Sequence, residues 1–122
     1  VNARLPDPGV IDYGAAKAAL VNFSKALSKE VGADGIRVNT ISPGPVATDL
    51  WLGDRGVAAT VSAAAGTDAA QVVSGAEASM LTGRFTKPDE VAALAAFLAS
   101  DRVAGNITGA DVVIDGGLTA EL

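Results

Sequence analysis

The 122-residue chain contains neither cysteine nor histidine. Disulfides, thiolate nucleophiles, cysteine and histidine zinc sites, and serine or cysteine catalysis assisted by imidazole are therefore excluded within it. Aromatic residues make up only 4% of the sequence, with a single tyrosine and a single tryptophan, so any phenolic acid/base chemistry has one candidate. Positive charge is in deficit, with 9 basic against 14 acidic side chains and a net charge of -5, which argues against a nucleic-acid surface. No apolar run approaches the roughly 20 residues of a membrane-spanning helix, and no basic-then-apolar segment stands at the start. These features lead us to expect a cytoplasmic protein with no membrane partner and no metal site.

What is present is apolar-rich: 49% hydrophobic against 19% charged residues, the balance of a folded α/β chain rather than a disordered one. Pro6, Pro8 and Gly9 mark a loop, and Asp12 is placed to cap a helix over 12–31. Ala16, Leu20, Phe23, Leu27 and Val31 recur at helical spacing and are expected to form its packed stripe, with Gly32 as terminator. Arg37 to Ser42 is rich in β-branched residues and reads as a strand ended by Pro43-Gly44-Pro45. From about Asp54 to Gly83 the pattern loosens into alanine-rich sequence that reads as weak helices. Pro88 with Asp89 and Glu90 is a helix-start signature, and Val91, Leu94, Ala95 and Leu98 form a stripe behind it. Val112-Val113-Ile114 is a short buried strand. Gly105 to Gly109 precedes that strand instead of joining a strand to a helix, so it is not a phosphate loop.

Tyr13 and Lys17 stand four residues apart on the expected helix, which puts a phenol and an ammonium on one face. A free phenol is almost wholly protonated at neutral pH, so a phenolic acid/base catalyst needs a neighbour that favours the ionised form. An ammonium about 5 Å away, at an effective dielectric of about 20, favours a phenolate by about 3 kcal/mol. With imidazole absent, Tyr13 and Lys17 are the acid/base candidates by elimination.

The residues around this pair extend the pattern. Asp12-Tyr13-Gly14-Ala15-Ala16-Lys17, Arg37-Val38-Asn39-Thr40-Ile41-Ser42-Pro43-Gly44, Gly83-Arg84-Phe85-Thr86-Lys87-Pro88-Asp89-Glu90 and Val113-Ile114-Asp115-Gly116-Gly117 follow one another in an order that closely resembles the short-chain dehydrogenase/reductase family. The resemblance covers nearly all of the chain. It implies a Rossmann-like doubly wound parallel sheet and hydride transfer between NAD or NADP and a small carbonyl or alcohol substrate. Tyr13 would be the acid/base, and Lys17 would assist it and hydrogen-bond the nicotinamide ribose. Pro43, Gly44, Val46 and Thr48 match the family's segment beside the nicotinamide, residues 49–85 its substrate lid, and Trp51 and Leu52 could line a substrate pocket. The family helix at 12–31 commonly packs against its copy in another subunit, so a homo-oligomer is expected.

Family members are about twice as long, and their first half carries a glycine-rich phosphate turn that has no counterpart here. Residues 1–122 are thus expected to be the C-terminal part of one such domain. The chain begins on Val1 without an initiator methionine, and the family's catalytic serine would fall just ahead of it. A truncated or proteolytic fragment without activity of its own, acting at most as an association module, is the alternative. The residue that separates NAD from NADP lies in the missing half.

Overall fold

The computed structural model describes residues 1–120. Along the chain it forms α1 (Ile11–Glu30), β1 (Thr40–Pro43), α2 (Asp49–Leu52), α3 (Val57–Ala65), α4 (Ala69–Ala78), α5 (Pro88–Ala99), α6 (Asp101–Ala104) and β2 (Asp111–Ile114). β1 and β2 pair in a two-stranded sheet. The Thr40 N–H bonds the Ala110 carbonyl and the Gly44 N–H bonds the Ile114 carbonyl, so both strands advance together and the pairing is parallel. A parallel pair requires a long crossover, which the intervening helices supply, and the architecture is α/β as expected. Two compact units are distinguished: Val1–Ser42 with Ala92–Val113, and Pro43–Val91 with the chain from Ile114 onward.

In the first unit, α1 is the long helix expected over 12–31, but its packed face differs from the expected stripe. Leu20 and Phe23 are 51% and 61% exposed. Gly14, Val21, Ser24 and Leu27 are half-buried, and Ser28 is buried. In an alanine-rich helix the apolar side chains surround much of the circumference, so the period does not select a face; here close approach does. A Cβ on Gly109 would lie 2.5 Å from Ser28 Oγ, and Lys25 Nζ donates to the Gly109 carbonyl at 2.7 Å. Small residues on both sides let the strand-leading loop sit against the helix. Two local readings also change. Asp12 lies inside the first turn, and Asp7 caps the preceding 3-10 turn. The left-handed residue that reverses the chain after α1 is Gly35 (φ 75°), reached through a short 3-10 turn, not Gly32.

Asp111 at the start of β2 ties this unit together. Its carboxylate accepts from Arg4 Nε and Nη2 (3.0 and 2.8 Å), Thr40 Oγ1 (2.7 Å) and Ser42 Oγ (2.8 Å). Burial works against its charge, but the hydrogen bonds from Thr40, Ser42 and Arg4, with the Arg4 charge, outweigh it and hold the group below the usual carboxylate range.

In the second unit, the alanine-rich stretch forms two well-delimited helices. Gly66 (φ 67°) ends α3, and Asp68 with Gln71 forms a capping box at the start of α4. Pro88 opens α5 as predicted, and Val91 is half-buried; in the part of α5 that belongs to the first unit, Leu94 is half-buried and Leu98 buried, although Ala95 is exposed. The loop before α5 is pinned by Glu90, which pairs with Arg84 at 2.8 and 2.6 Å and accepts from the Lys87 N–H at 2.7 Å. Arg84 foremost, then the Lys87 amide, draw the Glu90 carboxyl down to about 2.

Candidate active site

Tyr13 and Lys17 lie in the first turns of α1, within the first unit. One helical turn brings the Lys17 Nζ to 5.2 Å from the centroid of the Tyr13 ring, within cation–π range. The tyrosine is 51% exposed and the lysine is exposed. Among the described residues, neither the Tyr13 hydroxyl nor the Lys17 ammonium has a hydrogen-bond or ion-pair partner, so both polar ends are available to a ligand. Exposure also means that water screens their mutual attraction.

Pro43, Gly44, Val46 and Thr48 lie together in the second unit, in the segment leaving β1. The segment is held at both ends. The Gly44 N–H donates to the Ile114 carbonyl at 3.0 Å; farther on, the Thr86 N–H donates to the Pro45 carbonyl at 3.0 Å and the Ala47 N–H to the Thr86 carbonyl at 2.9 Å. These last two bonds form a parallel bridge between Val46 and Thr86. Gly44 is required by contact: a Cβ there would lie 2.8 Å from both Cα and Cβ of Asp115. That explains the glycine without a cofactor.

Between these anchors the Val46 N–H has no acceptor among the described residues. The Thr48 hydroxyl reaches only the Val46 carbonyl, at a long 3.4 Å. One uncommitted amide donor and a hydroxyl able to donate or accept, two residues apart, form a donor set that fits a primary carboxamide, the polar group of nicotinamide.

The two residues assigned to substrate differ in setting. Leu52 is exposed, whereas Trp51 is half-buried and packs edge-on against Phe85, with centroids 5.1 Å apart at 75°. Both sit on α2, whose start is set by the Thr48 carbonyl accepting from the Trp51 and Leu52 N–H groups. Phe85 and Thr86 were not singled out by sequence reasoning. They belong to a loop that pairs with another loop, and neither hydrophobic period nor turn chemistry marks such a pairing in advance. Asp115, buried after β2, accepts from the Gly117 and Thr119 N–H groups and the Thr119 hydroxyl, and so shapes the Gly116-Gly117 turn.

Residues 2–119 match the sequence family described as enoyl-(acyl carrier protein) reductase. The chain belongs to the short-chain dehydrogenase/reductase family. It is 46% identical over 113 residues to the D-threitol dehydrogenase of Mycolicibacterium smegmatis, covering 89% of this chain and 36% of that protein. Among solved structures, a short-chain dehydrogenase family protein from Francisella tularensis subsp. tularensis SCHU S4 superposes with a TM-score of 0.87 at 30% identity, over 98% of this chain and 48% of that one. The L-sorbose reductase of Gluconobacter frateurii, solved with NADPH and L-sorbose, superposes with a TM-score of 0.78 at 36% identity, over 90% of this chain and 41% of that one. The chain therefore spans less than half the length of these short-chain dehydrogenase/reductase relatives. Among the described residues, no helix is long and apolar enough to cross a membrane.

Proposed function

We propose that this chain carries the proton-transfer and nicotinamide-facing residues of an NAD(P)-dependent oxidoreductase acting on a small carbonyl or alcohol. The observation that carries the reading is the Tyr13–Lys17 pair: an uncommitted phenol with an ammonium 5.2 Å from its ring, in a member of this family. A bound nicotinamide dinucleotide would supply or accept the hydride. Tyr13 Oη gives its proton to the oxygen of a carbonyl being reduced, or takes the hydroxyl proton of an alcohol being oxidised. Lys17, one turn on, assists the phenol and offers donors to a ribose hydroxyl. The Val46 N–H and Thr48 hydroxyl serve a carboxamide, and Pro43 and Gly44 set the turn that presents them. Trp51, with Leu52 beside it on α2, borders the substrate, and residues 49–85 are its cover.

The NADPH in the sorbose reductase structure makes NADPH the first cofactor to test and NADH the second. Small polyols and ketoses are the first substrates, since the D-threitol dehydrogenase and the sorbose reductase are named for such compounds. The test is to follow nicotinamide absorbance while the protein, produced from its native reading frame, is offered D-threitol, sorbose and simple ketones with each cofactor. Turnover that requires both cofactor and carbonyl or alcohol is expected; no transfer with any pair would refute the reading.

Association is the second reading, favoured by one observation. Leu20 and Phe23, three residues apart and so on one side of the helix, expose large apolar surfaces on the same helix as Tyr13. We assign that face of α1 to a contact with a second copy of the chain, which makes a homo-oligomer of the protein.

A further inference from the structure

The loop before α5 does more than open a helix. Phe85 is 5% exposed and its ring supports Trp51 edge-on at 5.1 Å. Its neighbour Thr86, equally buried, bonds the Pro45 carbonyl and the Ala47 N–H through its backbone. The same two residues thus hold both the carboxamide-facing segment and the α2 turn that follows it. Behind them the loop is braced: Arg84 Nη1 donates to the Phe85 carbonyl at 3.0 Å while its guanidinium pairs with Glu90 in the first turn of α5. The chain leaving α2 adds no slack, because a Cβ on Gly56 would lie 2.9 Å from the Leu50 carbonyl oxygen and the Trp51 carbonyl carbon. The half-buried Trp51 ring thus rests against a buried, braced Phe85.

We propose that Phe85 is a positioning residue that acts through Trp51: by fixing the indole it fixes the wall that α2 presents to substrate, and so governs substrate KM rather than the proton-transfer step. The proposal rests on the reading of Trp51 as a substrate neighbour. Phe85 would touch neither substrate nor cofactor. Its effect should need an aromatic edge at position 85 and should vanish once Trp51 is gone.

Trp51 is the one tryptophan of these 122 residues, and its emission responds to its packing against Phe85. In Phe85→Leu we expect a red-shifted emission with quencher accessibility about doubled, and a substrate KM raised about fivefold, the scale of one edge-to-face aromatic contact. kcat should stay within about twofold of wild type. Phe85→Tyr, which keeps the ring, should restore both readouts. Trp51→Leu should raise KM to the same extent, and the double variant should lose no more than either single one. Should Phe85→Leu not fold, Trp51→Leu and Phe85→Tyr carry the KM comparison. Unchanged emission in folded Phe85→Leu would overturn the proposal, as would additive effects in the double variant or a KM that rises in Phe85→Leu but not in Trp51→Leu. If emission shifts while neither substitution moves KM, Trp51 is not a substrate neighbour and the proposal falls. Failure of the redox reading is seen separately, as a wild-type protein that transfers no hydride, and would also end it.

Discussion

Replacing Gly44 by alanine tests how the segment leaving β1 is held. The new Cβ would sit 2.8 Å from Cα and Cβ of Asp115 and 3.2 Å from its carbonyl oxygen. Optimal carbon–carbon separation is about 3.5–4.0 Å, so the segment must move by roughly 0.7 Å or more against backbone. Asp115 is itself fixed by the Gly117 and Thr119 amides, and the Gly44 N–H would be drawn off the Ile114 carbonyl. Overpacking of this kind costs about 1–3 kcal/mol. For a chain of this length about 4 °C of Tm corresponds to each kcal/mol, so Gly44→Ala should melt roughly 4–12 °C lower by circular dichroism. Gly75→Ala is the control. It lies inside α4 with nothing within 4 Å of the new Cβ, and should stabilise by about 0.5–1 kcal/mol. A Gly44→Ala protein that melts with wild type, or no higher Tm for Gly75→Ala, would refute the steric reasoning.

Asp111 gives a pH dependence. Its folded-state carboxyl lies below the ordinary range, so the stability it contributes is complete above the ordinary carboxylate pKa and is lost as pH falls through the depressed folded value. Denaturant midpoints measured down that acid range should fall in wild type and lose much of this slope in Asp111→Asn. Leu20→Glu with Phe23→Glu should weaken self-association about tenfold or more by sedimentation while leaving the circular dichroism unchanged, since both side chains are more than half exposed. If the Lys17 ammonium serves both the phenol and the ribose, as proposed, Lys17→Met should lower kcat and raise the nucleotide KM together in steady-state assays.

Much of this architecture was legible from the sequence where a residue type has a local mechanism. Pro88 with Asp89 and Glu90 fixed the start of α5, the β-branched residues before Pro43 located β1 to within a few residues, and the spacing of Tyr13 and Lys17 put both on one face of α1. The misreadings arose where several local solutions were equally good. Alanine around α1 left its packed face open, and small residues closing on Gly109 decided it. Gly32 was read as the terminator of α1, but the positive φ falls at Gly35, and only backbone geometry separates two glycines three residues apart. The capping signals in Gly66, Asp68 and Gln71 were present, yet the alanine-rich helices around them carry too little periodicity to be delimited. The brace formed by Phe85 and Thr86 joins segments distant in sequence, so no window reading reveals it.

The most direct test of the account is the turnover of Tyr13→Phe beside wild type, with the substrate and cofactor that the wild-type protein uses. Removing one hydroxyl oxygen from a side chain that is half exposed and has no hydrogen-bond partner among the described residues should leave Tm and tryptophan emission unchanged. If the phenol carries the proton, kcat falls by about 10² or more with nucleotide affinity little altered. A Tyr13→Phe protein that turns over within a few-fold of wild type would contradict the assignment of proton transfer to Tyr13.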